Sequence, residues 1–352
     1  MRHARKLAAA IAGSVFLLQP DAGAETLQDA LVAAWLNNPA LEGERDAAAI
    51  AAEQIEQARA QGKPTVSLFG SYAYESIDSN RPFAFNLGDR PVASAQLEAR
   101  LPVYTGGRIV AGIRQAEEGA LAAGSRLEAS GQSILLDTLT AYVDILRARE
   151  VIEIRQSSIR LLDGQYRAAS DRFEVGDVTR TDVALSLARL EGGRANLAAA
   201  EAQLEASLAR YVLLTGQEAE ATLAPVPPLP ELPESFDAAL AIALAANPDI
   251  QSARYAEQAA RQAIEVARGA LKPEVSVIAQ AGVQEYHTDG FTDTSVTAGA
   301  QARIPLFTGG LNTSRLREAR LAREQAFERL LERGRHLVGR GRGAEDGAGG
   351  VT

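Results

Sequence analysis

One phrase is written twice in this chain, "RLPVYTGGRI" at 100–109 and "RIPLFTGGLN" at 303–312. Each copy runs Arg, aliphatic, Pro, aliphatic, aromatic, Thr-Gly-Gly. Proline cannot extend a strand ladder because it has no N–H, and paired glycines let the backbone turn. A fold for this chain must therefore end a strand and start something new at two places. Other anchors repeat in the same order. "TLQDALVAAWLNNPAL" (26–41) resembles "SFDAALAIALAANPDI" (235–250), which aligns Asn38-Pro39 with Asn247-Pro248. "ARAQGKPTVSL" (58–68) resembles "ARGALKPEVSV" (267–277), which aligns Lys63-Pro64 with Lys272-Pro273. The chain is two copies of one plan. The Pro-rich stretch "APVPPLPELPES" (224–235) joins them as a stiff connector.

Proline placement separates helix from strand. All 14 prolines lie at 20–102 or 225–305. The proline-free stretch 103–224 is rich in Ala, Leu, Arg and Glu, which favour helix. It predicts one helix from Arg108 to Ser170, roughly 95 Å long at 1.5 Å per residue. A second is predicted from about Thr181 to Leu214, with Leu185, Leu190, Leu197, Leu204 and Leu208 on a helical repeat. Glycines at 112, 119, 124, 131, 164, 192 and 193 make both helices depend on lateral packing.

Between the helices lie short runs of period two. Val66, Leu68, Gly70, Tyr72 and Tyr74 alternate with Ser67, Phe69, Ser71 and Ala73. Ala93, Ala95, Leu97, Ala99, Leu101 and Val103 alternate with Ser94, Gln96, Glu98 and Arg100. Val275, Val277, Ala279, Ala281 and Val283 share one face, and Val296, Ala298, Ala300, Ala302 and Ile304 alternate with Thr297, Gly299, Gln301 and Arg303. Runs of about 9–11 residues are the length a tilted membrane strand needs. An Arg facing lipid at mid-membrane would cost roughly 2–4 kcal/mol. Ser94, Gln96, Glu98, Arg100, Thr297, Gln301 and Arg303 are therefore expected to line a watery bore. Open strand edges are not tolerated in lipid, so several chains must share one barrel. Pro102, Tyr104, Gly106 and Gly107, with Pro305, Phe307, Gly309 and Gly310, then mark the barrel-to-helix junctions. Tyr104 and Phe307 are placed as interface aromatics.

The N-terminus reads as an export signal: basic "MRHARK", apolar "LAAAIAGSVFLL", then "AGA" at 22–24. The apolar run is too short to span a bilayer as a helix, and cleavage is expected after Ala24. There is no Cys, and the three His stand apart, so no thiolate, metal or cofactor chemistry is expected. No nucleophile or phosphate-loop motif appears, so the chain is not expected to be an enzyme. A formal net charge of −9 argues against nucleic acid as a partner.

With these residues in place, the sequence resembles the TolC-like outer-membrane channel family, the export ducts of efflux pumps and type I secretion systems. The resemblance covers about residues 25–333. It rests on the Asn-Pro helix, the Lys-Pro and Pro-x-aromatic-Thr-Gly-Gly junctions, and "RFEVGDVTRTDVALSLARL" (172–190). It implies a mainly helical chain in which helical hairpins form a periplasmic tunnel. It also implies a homotrimer whose chains give four strands each to a shared 12-stranded outer-membrane β-barrel. The tunnel tip in such proteins is where a periplasmic membrane-fusion adaptor docks, itself coupled to an inner-membrane pump of ABC, RND or MFS type. Phe173, Gly176, Asp177, Val178, Thr179 and Asp182 carry that role here by resemblance. On physical grounds Gly176 suits a left-handed helix end, Thr179 or Thr181 an N-cap, and Phe173 and Val175 the last apolar layer of the hairpin.

The expected division is a signal peptide at 1–24, a first repeat at 25–216, a linker at 217–234, and a second repeat at 235–333. From Gly334 the chain turns to Gly and Arg with no apolar period, and 334–352 reads as a disordered tail. The counterpart of the first long hairpin would lie beyond the last residue, so the second hairpin is read as missing. The expected function is a passive exit duct in the outer membrane. The alternatives are a soluble periplasmic coiled-coil adaptor or scaffold, and a non-functional channel remnant.

Overall fold

The structure is a computed structural model and describes residues 24–77, 88–228, 233, 235–286 and 291–348. Most of the expected leader thus lies outside the described residues. In chain order the elements are α1 (Leu27–Asn37), α2 (Pro39–Ala60), β1 (Thr65–Ile77), β2 (Gly88–Tyr104), α3 (Arg108–Glu174), α4 (Arg180–Thr215), α5 (Phe236–Ala246), α6 (Pro248–Gly269), β3 (Glu274–Tyr286), β4 (Phe291–Arg303) and α7 (Leu311–Ala348). The repeat is visible directly: a short helix, a longer helix, two strands and a long helix, twice.

Each Asn-Pro splits what the sequence suggests is one helix into two. Asn38 is extended (φ −72°, ψ 119°), and Pro39 opens α2, where its missing N–H costs nothing because a first-turn N–H has no intrahelical acceptor. Asn38 Nδ2 donates to Leu214 O at 2.9 Å, while Ala40 N donates to Asn38 Oδ1 at 2.9 Å. Asn247 plays the same part before α6, its Oδ1 accepting from Ile250 N at 3.2 Å.

The chain divides into two compact units, 1–42 with 131–231, and 43–130 with 232–352. The first contains α1, the larger part of α3, and α4. Its core is Ala30, Ala141, Tyr142, Ile145, Tyr211 and Leu223, with Leu204, Leu208 and Leu214 packed against it. Glu25 closes this core. Its backbone bridges Leu223 as a short parallel pair, with Glu25 N donating to Thr222 O and Ala224 N donating to Glu25 O. Its side chain, 8% exposed, accepts from the Tyr211 hydroxyl and, at 2.9 Å, from Glu220 N. The Tyr142 hydroxyl lies 2.8 Å from Glu25 O and 2.7 Å from Ala224 O and donates to one at a time.

The second unit holds all four strands with α5, α6, α7 and the start of α3. Here α6 and α7 pack along each other. Glu257, 4% exposed on α6, takes Arg323 Nε of α7 at 2.6 Å and Arg261 of its own helix at 3.1 Å. α7 runs past Gly334 to Ala348, through residues whose composition suggests no order. Backbone hydrogen bonding propagates one bond per residue from an established helix and needs no apolar stripe to do so.

Candidate functional site

Each strand is antiparallel to the next, in the order β1-β2-β3-β4. Residues paired across an antiparallel ladder point to the same face. The register therefore decides which alternating sets belong together. Arg100 pairs with Thr65 and Ile278, Glu98 with Ser67 and Gln280, Gln96 with Phe69 and Gly282, and Ser94 with Ser71 and Gln284. Gln280 pairs in turn with Thr297, Ser276 with Gln301, and Glu274 with Arg303. All seven residues expected to line a bore thus fall on one face. The other face collects Val66, Leu68, Tyr72 and Tyr74, then Ala93, Ala95, Leu97, Ala99 and Leu101. Val277, Ala279, Ala281, Val283, Val296, Ala298, Ala300 and Ala302 complete it.

The polar face is wired across strands. Ser71 and Ser94 hydroxyls are 2.8 Å apart, and Gln280 Nε2 donates to Glu98 Oε2 at 3.0 Å. Arg100 reaches Glu274 at 3.5 Å. Glu274, Ser276, Gln280 and Gln284, the positions of β3 that alternate with its apolar residues, join this face by the same period of two. Phe69 and Ile278 are apolar intrusions on this face.

At the first junction the ladder slips between Pro102 and Tyr104, so Tyr104 pairs with Val275. That bulge moves the aromatic, not Val103, onto the apolar side. Gly106 and Gly107 follow at φ 65° and 89°, and Gly309 and Gly310 repeat the turn at 61° and 83°. These left-handed values are why glycine stands there. A side chain on Gly106 would also lie 2.6 Å from Lys272 Cβ and 2.7 Å from Gly269 O. Pro305 and Phe307 lie between β4 and α7, with Phe307 89% exposed.

The tip of the α3–α4 hairpin is a pair of caps. Gly176 has φ 80°, its N–H donating to Phe173 O at 3.0 Å, while Asp177 N donates to Arg172 O at 2.9 Å. Thr179, not Thr181, is the N-cap. Asp182 N donates to Thr179 Oγ1 at 3.3 Å, and Asp182 Oδ2 accepts from Thr179 Oγ1 at 2.7 Å and Thr179 N at 2.9 Å. The Thr179 hydroxyl first, then its backbone N–H, hold the Asp182 carboxyl below the usual carboxylate range. The expected last apolar layer is absent. Phe173 is 45% and Val175 80% exposed, both at the end of α3 where the chain passes into the tip turn. Val178 is half-buried, and Asp177 and Thr179 are exposed.

A four-stranded sheet of membrane-strand length, apolar on one face and polar on the other, feeds continuous helices through glycine turns. That is the build of an outer-membrane channel subunit. Among the described residues no helix is long and apolar enough to cross a membrane, which says nothing of the strands. The chain belongs to the outer membrane efflux protein family, whose profile matches residues 30–217 and 239–340. It is 29% identical over 315 residues to the outer membrane efflux protein BepC of Brucella suis biovar 1, covering 89% of this chain and 67% of that protein. It is 30% identical over 234 residues to the alkaline protease secretion protein AprF of Pseudomonas aeruginosa, covering 62% of this chain and 47% of that one. It is 26% identical over 340 residues to the outer membrane protein TolC of Escherichia coli K12, covering 90% and 66%. The chain thus spans from about half to two thirds of the length of these relatives. Among solved structures, the Campylobacter jejuni CmeC outer membrane channel superposes with TM-score 0.75 at 20% identity, covering 87% of this chain and 67% of that one. The Vibrio cholerae outer membrane protein VceC superposes with TM-score 0.74 at 20% identity, covering 89% and 75%. At that identity the superpositions speak for the fold alone.

Proposed function

We propose that this chain is the outer-membrane exit duct of an efflux or secretion assembly, a passive conduit made by three copies. One observation carries the reading: the register gathers the polar positions of four strands on one face and the small apolar positions on the other. Lipid accepts only the second face, so the first faces water. β1 and β4 are the two ends of the sheet, and their outer backbone groups must be paired before the sheet can sit in hydrocarbon. Copies of the same chain supply that pairing. The polar face, with Ser94, Gln96, Glu98, Arg100, Thr297, Gln301 and Arg303, then lines the bore, and width and lining charge govern passage. The capped tip, with exposed Phe173 and Val175 beside Gly176, Asp177, Val178, Thr179 and Asp182, offers a compact, partly apolar surface for a periplasmic adaptor. Energy for export comes from an inner-membrane pump behind that adaptor. A leader removed after Ala24 would leave Glu25 to dock against Leu223.

The test is sidedness. Single cysteines at Ala95, Ala99, Ala298 and Ala302 are expected to resist a water-soluble maleimide in native outer membranes. Cysteines at Ser94 and Thr297 are expected to react. Equal reactivity of both sets would overturn the reading.

A further inference from the structure

A cavity of about 200 Å³ lies where the ends of β3 and β4 meet the first turns of α3 and α7 and the last turn of α6. Arg108, Lys272, Arg303 and Arg315 line it, and Glu274 is the one acidic residue in its wall. In a chain of formal net charge −9, this is a local reversal of sign. Glu274 does not neutralise the group. Its register partner across the ladder is Arg303, yet its carboxylate turns to Arg100 at 3.5 Å and Arg108 at 3.4 Å. Among the described residues Lys272, Arg303 and Arg315 have no carboxylate partner. Three unpaired cations around one small space repel each other, and an anion between them would reverse that cost. α3 and α7 both begin at this cavity, and the positive ends of their helix dipoles add to the same field. Thr105 and Asn312 bring a hydroxyl and an amide to the wall. The volume is below the roughly 300–1,000 Å³ of sites that hold a whole organic ligand, which restricts the occupant to one ionic group.

We propose that this junction cavity binds a phosphate group, held by the forked donors of Arg303 and Arg315 with Lys272 as a point charge. The chemistry is shared by two sources, the headgroup of an anionic phospholipid and a soluble phosphate-bearing anion. The reading deepens the channel proposal by placing an oxyanion site at the join of barrel and helices. It stands on the cavity alone and needs no measurement of transport.

The experiment uses the full chain purified in detergent. Inorganic phosphate is titrated and followed by ³¹P NMR. In parallel, the protein is reconstituted with mixed phosphatidylglycerol and phosphatidylcholine, and retained lipid is measured by native mass spectrometry. The wild type is expected to show saturable phosphate binding, enrichment of phosphatidylglycerol, or both. The first result assigns a soluble anion, the second a lipid headgroup. The double variant Arg303→Gln/Arg315→Gln is expected to weaken whichever signal appears by about tenfold or more. Arg335→Gln, exposed far along α7, is expected to leave it unchanged. Circular dichroism confirms that each variant is folded. Absence of both signals in the wild type, or equal signals in the double variant, overturns the proposal. Neither outcome bears on the cysteine sidedness test, so the two readings fail separately.

Discussion

Tyr211→Phe is the sharpest test of how the first unit is held together. The substitution keeps a fully buried ring in place and deletes one hydroxyl. That hydroxyl donates to the side chain of Glu25, whose second oxygen takes Glu220 N at 2.9 Å. A hydrogen bond to a charged group is worth about 1.5–3 kcal/mol, against about 0.5–1.5 for a neutral one. Tyr211→Phe should therefore cost about 1.5–3 kcal/mol and lower the melting temperature by roughly 3–10 °C. Tyr142→Phe removes a donor shared between two carbonyls, one of which also accepts from Ala224 N. It should cost less, about 0.5–1.5 kcal/mol. The pH dependence gives an independent check. Burial first, then Glu25, push the Tyr211 hydroxyl well above its ordinary value, and burial also raises Tyr142. Below the ordinary tyrosine value, about 10, both states keep the proton and stability is flat in this term. As pH rises above it, the unfolded tyrosines ionise and the folded ones do not, so wild-type stability falls. The double phenylalanine variant should fall less steeply between about pH 10 and 12. Thermal denaturation in detergent, followed by circular dichroism across pH, measures both. A Tyr211→Phe melting point equal to wild type, or a larger loss for Tyr142→Phe, would refute the reasoning.

Two further substitutions probe the junction and the tip. Gly106→Ala meets Lys272 Cβ and Gly269 O at contact-breaking distances, whereas Gly107→Ala meets nothing within 4 Å. Both carry the left-handed backbone cost of about 1–2 kcal/mol, so Gly106→Ala should give the lower yield of heat-resistant oligomer on gels; equal yields would remove the clash from the account. Thr179→Ala should speed amide hydrogen exchange in the first turn of α4 by a few-fold at neutral pH, because it empties the N-cap. Asp182 is held low, so its contribution exists above the usual carboxylate range and disappears as pH falls through its lowered value. The exchange difference between wild type and Thr179→Ala should therefore shrink in acid, and a difference that persists unchanged would contradict the cap.

Much of the strand region was legible because its causes are local. Alternation in a strand is set by backbone geometry with period two, so Ser94 to Arg100 and Thr297 to Arg303 declare their shared side before any partner is known. Glycine at positive φ is likewise a local matter, and the doubled Gly-Gly announces it twice. The same locality explains the tip, where Gly176 ends one helix and Thr179 with Asp182 starts the next within seven positions, 176–182. What failed was packing. Phe173 and Val175 look like a hairpin's closing layer, but a side chain is covered only if something stands opposite, and the sequence around it does not supply that fact. The Asn-Pro pair at 38–39 is a true helix boundary, held from far away in the chain: Asn38 Nδ2 donates to Leu214 O of α4, and its neighbour Asn37 Nδ2 donates to Thr215 O.

The charged features lay beyond reading for a related reason. Nothing near Glu25 in sequence marks it as a buried acceptor; its partners are Tyr211 and Glu220. Glu274 sits in an ordinary strand opening, "EVSV", and faces Arg303 in register, so pairing the two is the natural reading. The fold instead brings Arg100 and Arg108 to that carboxylate from β2 and α3. One acid is thereby taken by two cations from the first repeat, and the cations of the second repeat are left facing a cavity. The duplication matters here. The first copy has Thr65 where the second has Glu274, so the sheet carries one such carboxylate and not two. That difference between the repeats contributes to the cationic surplus at the junction, and replacing Thr65 with Glu would add a second carboxylate directly opposite Arg100, in a position to compete for it.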